Sequence, residues 1–170
     1  VATVVLIGPR ALGVPVTYGG DSFQHFLLAD TADWTGTPGV ETHSGAPAGT
    51  DWSSFPVGGE RLQLVALAGL RAIGGGPFEA VNLYLLLAVT LTAVLSFLVL
   101  RWMGVSPLVA GAGALVFALA PATYARVFYG LVFLFALFPV PLAVFLACRA
   151  SGWRPPGAPA GGGAGAAVPA

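Results

Sequence analysis

The chain has 170 residues, of which 56% are hydrophobic and 8% are charged, and its mean hydropathy is +0.85. Soluble globular domains carry roughly 25% charged residues, so this composition excludes an ordinary soluble domain and predicts an integral membrane protein. The formal net charge is zero and no basic cluster is present, which excludes a typical nucleic-acid-binding protein.

The N-terminal stretch 1–8 is apolar but far shorter than the roughly 20 residues that a membrane-spanning helix needs. We interpret it as the end of a truncated transmembrane helix and the chain as a fragment of a longer protein. Pro9, Gly13 and Pro15 follow and prevent the helix from continuing. The chain is therefore expected to leave the bilayer at this point.

A polar loop over residues 9–77 is predicted to lie outside the membrane, and its part from Pro9 to Glu60 holds six of the seven acidic residues and both histidines. Asp21 or Ser22 is the expected N-cap of a short helix that ends near Ala32.

The rest of this loop divides into two parts. Residues 31–56 have no sustained hydrophobic period and are expected to form a loop. Residues 62–73 have apolar side chains at helical spacing but are too few to cross a bilayer, so they predict an interfacial helix; a re-entrant segment is the alternative.

Three transmembrane helices are predicted over residues 78–150. The most distinct is the uncharged run Val81–Leu100, followed by Pro107–Ala125. The third covers Val127–Cys148, where Pro139 and Pro141 predict a kink.

The tail, residues 151–170, consists mainly of Pro, Gly and Ala and is predicted to be disordered. The predicted fold is all-α: a polytopic transmembrane helical bundle with a large extracytoplasmic first loop and short interfacial helices. Arg101, Arg149 and Arg154 would share one face of the membrane, and the positive-inside bias places that face in the cytoplasm.

Asp21 is the main candidate for chemistry, because it follows two glycines at the membrane exit and shares a helix face with His25 four residues later. Such a carboxylate can accept a proton from a hydroxyl, whereas the simpler interpretation is a helix cap. Arg126 interrupts two apolar runs and either binds a lipid phosphate or extends to the interface. No spacing of acids or histidines predicts a metal site.

The order of several motifs resembles the N-terminal part of bacterial multi-span membrane glycosyltransferases with a GT-C-like fold. The resemblance covers most of the chain and depends on the following segments: GGDSFQH (19–25), SGAPAGTDWSSFP (44–56), VNLYLLL (81–87), LRWMGVS (100–106) and LAPATYAR (119–126).

The resemblance implies a catalytic role for Asp21 and substrate binding by His25, Arg126, Asp51 and Trp52. It implies transfer of a sugar from a polyprenyl-phosphate donor to a glycan or lipid acceptor outside the bacterial inner membrane, in which the protein is a multi-pass component of the bilayer. No cofactor is expected, although a divalent cation is compatible with the scheme. The sequence departs from the family pattern in having no histidine at residues 127–130, and the fragment alone is expected to be inactive.

Two other functions compete with glycosyl transfer. A transporter or flippase subunit would bind a lipid-linked or polar substrate without making a bond, and a structural membrane protein would use its loop to dock a partner. Transport predicts charged or broken-helix features near the midplane of several spans. The middle of Val81–Leu100 offers only Thr90, Thr92 and Ser96 as polar positions, which favours the glycosyltransferase.

Overall fold

The computed structural model describes residues 12–15, 22–42, 45, 47–54, 61–73, 75–122, 125 and 136–154. Its described part is mainly helical, as predicted, with one small two-stranded ribbon. The elements in chain order are α1 (Ser22–Thr31), β1 (Val40–Glu41), β2 (Thr50–Asp51), α2 (Arg61–Ala72), α3 (Pro77–Trp102), α4 (Pro107–Ala118) and α5 (Pro139–Ala150). The predicted N-terminal stub and the tail from residue 155 onward lie outside the described residues.

Helix α3 is the central element. Its 26 residues extend about 39 Å at about 1.5 Å per residue, more than the roughly 30 Å hydrocarbon core of a bilayer. Among the described residues it is the one helix that is long and apolar enough to cross a membrane. Pro77 begins it, where its missing N–H needs no partner. The predicted span Val81–Leu100 lies within this helix.

The C-terminal end of α3 turns sharply into α4. Gly104 adopts a φ of 89°, and its N–H donates to the Arg101 carbonyl at 3.0 Å, while Val105 N–H donates to the Leu100 carbonyl at 3.1 Å. The left-handed glycine lets these bonds satisfy carbonyls that the helix end leaves open. The Arg101 guanidinium also donates to the Val105 carbonyl at 2.6 Å.

Helix α4 packs against α3 through small side chains. Ala110, Ala114 and Ala118 recur at every fourth position of α4 and are buried, a spacing that lets two helices approach closely. The predicted span over residues 107–125 is wrong as a single helix, because α4 ends at Ala118 and Ala120 is not helical. Pro121 accounts for the break, since proline disfavours helical geometry at the preceding residue.

Helix α5 runs parallel to α3. The Trp102 ring at the end of α3 contacts Phe145 with a centroid distance of 4.8 Å and Trp153 at 5.3 Å. Phe138, at the other end of α5, packs near the N-terminal half of α3. We predicted a kink within a continuous helix at Pro139. In the structure a new helix begins at Pro139 instead, because Ala136 and Leu137 before it are not helical. Residues 126–135 lie outside the described residues.

Helices α1 and α2 and the ribbon form a unit on the N-terminal half of α3, which we call the cap layer. Phe26 of α1 packs edge-on against Phe78 of α3 at 4.9 Å, and Leu64 and Leu67 of α2 are fully buried. The cap layer and α3 share one apolar cluster, which consists of Phe26, Leu28, Ala29, Leu64, Leu67, Ala80, Val81, Tyr84, Leu85 and Ala88. The helix predicted over residues 62–73 is therefore present, with one face buried in protein.

The segment predicted as a loop between α1 and α2 contains local order that its irregular sequence conceals. Val40 pairs with Asp51 and Glu41 with Thr50 in an antiparallel ribbon. Before it, the Asp33 carboxylate accepts hydrogen bonds from the Thr35 N–H at 2.8 Å and the Thr35 hydroxyl at 2.6 Å. An Asx-type turn of this kind orders a chain without any hydrophobic period.

Candidate functional site

The sequence-predicted site residues are distributed over different parts of the chain. Asp21 and Arg126, the predicted catalytic and phosphate-binding residues, lie outside the described residues. His25, Asp51 and Trp52 are described, and all three belong to the cap layer.

His25 lies in α1 and is only 8% exposed. It precedes Phe26, whose ring contacts Phe78 in the first turn of α3. The sequence placed His25 on a helix one turn after Asp21, and α1 is such a helix, beginning at Ser22. The burial places the imidazole within the fold of the cap layer and removes it from bulk solvent.

Asp51 and Trp52 are neighbours in the chain but differ in exposure. The Asp51 carboxylate is exposed and accepts a hydrogen bond from the Ser53 N–H at 2.8 Å. Hydrogen bonds from the Ser53 side chain and backbone lower the pKa of Asp51 below its ordinary value. The Trp52 side chain packs against the apolar cluster, and the backbone N–H of Trp52 donates to the Gly39 carbonyl at 3.1 Å. Both residues are thus used in building the ribbon.

Asn82 is a buried polar residue that the sequence analysis missed. It is 4% exposed and lies in the second turn of α3. Its amide nitrogen donates to the Leu12 carbonyl at 2.7 Å and to the Val14 carbonyl at 2.8 Å. These bonds fix the segment 12–15 to α3 on both sides of Gly13. An amide inside an otherwise apolar run was the available signal, because a buried amide is retained where it finds hydrogen-bond partners.

Glu79 lies one turn earlier on α3 and points back over the same junction. A Cβ built on Gly13 would be 3.0 Å from the Glu79 carboxylate, and one built on Gly76 would be 2.5 Å from it. Both glycines therefore leave room for this side chain. The carboxylate stands near the N-terminus of α3, where the positive end of the helix dipole stabilises negative charge.

A second polar connection joins α1 to α2. The Arg71 guanidinium pairs with the Asp30 carboxylate at 2.9 Å and donates to the carbonyls of Ala29, at 3.3 Å, and of Asp30. Arg71 thus caps the last turn of α1 from the neighbouring helix. No local pattern predicts this contact, because the two residues are 41 positions apart.

Together these contacts make a rigid polar junction at the N-terminal end of α3. A junction of this type can hold a neighbouring segment of the chain in place, since backbone positions fixed by buried hydrogen bonds resist displacement. Within the described ranges, no group of three or more histidine, cysteine or acidic side chains could hold a metal ion.

Comparison with known proteins gives no further assignment. No family model matches the sequence, and neither a curated protein nor a solved structure matches the chain.

Proposed function

We propose that the chain is a membrane-embedded part of a glycosyltransferase, with α3, α4 and α5 in the bilayer. Large apolar side chains remain exposed along all three helices, such as Leu91 on α3, Val116 on α4 and Leu146 on α5. Only 28% of the apolar window of α3 is buried by protein. A core helix of a soluble protein is enclosed by its neighbours, whereas this exposed apolar surface matches hydrocarbon.

The chemistry is assigned to the face of α3 that carries the cap layer. The described segment 12–15, which comes before Asp21 in the chain, is held to α3 by Asn82 at Leu12 and Val14. The helix that follows Asp21 begins at Ser22 and is held to the same end of α3 by the Phe26–Phe78 contact. This double attachment of the flanking chain is the observation that carries the proposal, because a general base needs a fixed position relative to its substrate.

In the proposed reaction, the sugar donor is a polyprenyl-phosphate glycoside and the acceptor is a glycan or lipid hydroxyl. Asp21 accepts the hydroxyl proton while the hydroxyl oxygen forms a bond to the anomeric carbon. The bond between that carbon and the phosphate oxygen breaks, and the lipid phosphate leaves with the electron pair. The configuration at the anomeric carbon is inverted.

Replacing Asp21 by Asn tests this function. Loss of a general base is expected to lower the transfer rate by about 10²–10⁴-fold while donor binding persists. Asp33→Asn is the matched control, because the Asp33 carboxylate is exposed and closes a local turn; it is expected to retain the parental rate. The assay follows radiolabelled sugar from polyprenyl phosphate to acceptor in reconstituted vesicles.

If the Asp21→Asn protein transfers sugar at the parental rate, Asp21 is not the general base of the reaction. Movement of the intact lipid-linked sugar between leaflets, with no glycosidic bond formed, would instead identify a transporter or flippase. If the parental protein shows neither sugar transfer nor movement of the lipid-linked sugar, the result would indicate a structural membrane protein.

A further inference from the structure

Among the residues that the structure describes, those at the end of the molecule opposite the cap layer carry positive charge without an ion pair to an acidic side chain. No carboxylate follows Glu79 anywhere in the sequence. Arg101 and Arg149 occupy the last turns of α3 and α5, and Arg154 follows two residues after Gly152. All three side chains are exposed. We call this region the arginine end.

Two tryptophans accompany these arginines. The rings of Trp102 and Trp153 contact each other at a centroid distance of 5.3 Å and an interplanar angle of 59°, and they hold the ends of α3 and α5 together. Trp153 follows Gly152, whose φ of 71° ends α5 in the same way as Gly104 ends α3. Paired indole rings beside arginines are typical of the headgroup region of a bilayer.

An apolar groove leads from the arginine end towards the middle of α3 and α5. It has a volume of about 310 Å³ and is lined by Leu95, Leu98, Val99, Trp102, Leu142 and Phe145. From Leu95 to Trp102 the helix rises about 10 Å. The groove is therefore elongated along the helices, and its lining offers contacts for a hydrocarbon chain rather than for a polar ligand.

We propose that the groove and the arginine end form a binding site for an anionic phospholipid. The acyl chain lies in the groove, and the phosphate lies between the guanidinium groups, which suit phosphate oxygens in geometry and charge. Charge complementarity selects an anionic headgroup, because no carboxylate within the described ranges pairs with the arginine end. The proposal depends on insertion of the helices into a membrane and is independent of glycosyl transfer.

Quenching of tryptophan fluorescence by brominated acyl chains tests the site. The 170-residue chain carrying Trp34→Phe and Trp52→Phe, so that emission comes from Trp102 and Trp153, is reconstituted in phosphatidylcholine vesicles. Brominated phosphatidylglycerol is expected to quench more strongly than brominated phosphatidylcholine at the same fraction. Arg149→Gln is expected to lower this relative affinity by about fivefold, the effect of one interfacial charge.

Matched variants distinguish binding of the phospholipid at this site from general electrostatic attraction between the protein and anionic lipids. Arg149→Lys, which keeps the charge, is expected to retain most of the preference. Arg61→Gln alters an exposed arginine at the opposite end and is expected to leave it unchanged. Leu142→Phe fills the groove and is expected to abolish the preference, whereas Leu146→Phe, one turn away and outside the groove lining, is expected to retain it.

Equal quenching by the two lipids in the parental protein would overturn the proposal. An equal loss in the Arg61→Gln and Arg149→Gln proteins would do the same, since it would indicate only diffuse electrostatics. If the Leu142→Phe protein still prefers phosphatidylglycerol, the acyl chain does not lie in the groove. Circular dichroism of each variant verifies that helical content is unchanged, so that loss of folding is not mistaken for loss of binding.

Discussion

Replacing Arg71 by Met is expected to loosen the docking of α1 on α2. The guanidinium pairs with the Asp30 carboxylate at 2.9 Å and donates to two carbonyls at the end of α1. A hydrogen bond to a charged group contributes about 1.5–3 kcal/mol when buried, and an exposed ion pair about 0.2–1 kcal/mol. The two side chains are 33% and 28% exposed, so we expect a total loss of about 2–3 kcal/mol after discounting for solvent.

Hydrogen exchange of the α1 amides measures this loss locally, because α1 can open without unfolding the whole chain. Exchange is expected to accelerate by roughly 30- to 150-fold, since about 1.4 kcal/mol corresponds to a factor of ten. Asp30→Asn removes the ion pair and leaves the carbonyl contacts, so its effect is expected to be about fivefold or less.

Arg61→Met is the control, because Arg61 is exposed at the other end of the same helix. Equal acceleration by Arg71→Met and Asp30→Asn would refute the reasoning, since the ion pair alone would then account for the whole contribution.

Two further predictions concern the turn between α1 and the ribbon. Gly36→Ala is expected to lower the free energy of unfolding, measured by thermal denaturation, by about 2–4 kcal/mol, because Gly36 has a φ of 72° and the new Cβ would lie 2.5 Å from a backbone carbonyl of α2. Gly39→Ala is the control and is expected to be nearly neutral, because its Cβ would lie at an ordinary 3.5 Å from a backbone oxygen. Equal effects of the two substitutions would contradict the steric argument. The Thr35 hydroxyl and the backbone N–H groups of the turn lower the pKa of Asp33. The stability that these hydrogen bonds to the ionised carboxylate contribute is therefore complete above the ordinary carboxyl pKa and is lost as the pH falls through the lowered value. In Thr35→Val, an NMR titration is expected to show the pKa of Asp33 returning towards its ordinary value, and an unchanged pKa would contradict the assignment.

The helices that the sequence predicted well are those with strong local signals. The cap at Asp21 or Ser22 predicted a helix ending near Ala32, and α1 covers Ser22–Thr31. The apolar spacing over residues 62–73 predicted a helix there, and α2 covers Arg61–Ala72. The uncharged run Val81–Leu100 lies within α3. In each case the pattern of side chains over a few turns was sufficient.

The breaks in the later helices were harder to predict. An apolar composition indicates that a segment is hydrophobic, but it does not indicate whether the segment forms one uninterrupted helix. Pro121 and Pro139 lie in apolar sequence, and both were placed inside continuous spans. In the structure α4 ends at Ala118 and α5 begins at Pro139. Proline removes a backbone donor and restricts the residue before it, and whether the helix then kinks or ends depends on neighbours distant in sequence.

The polar junction of the candidate site depends on contacts between distant residues. Asn82 binds carbonyls 68 and 70 positions away, and Arg71 binds Asp30 across 41 positions. A carbonyl group carries no sequence signature, so its partner cannot be identified from residue types. His25 and Asp51 were recognised as polar residues, whereas the burial of the first and the turn-closing role of the second depend on the tertiary fold.

The position of the cap layer has a consequence for the bilayer itself. Between Leu87 and Leu98, the first and last large apolar side chains exposed on α3, the helix rises about 17 Å, well short of the roughly 30 Å hydrocarbon core. Such a hydrophobic mismatch is relieved by local thinning of the membrane or by immersion of the adjoining protein. Phe23, Trp34 and Ile73 are exposed on the cap layer, which favours immersion. The cap layer would then share the lipid environment of α3 and lie at headgroup depth rather than in the aqueous phase.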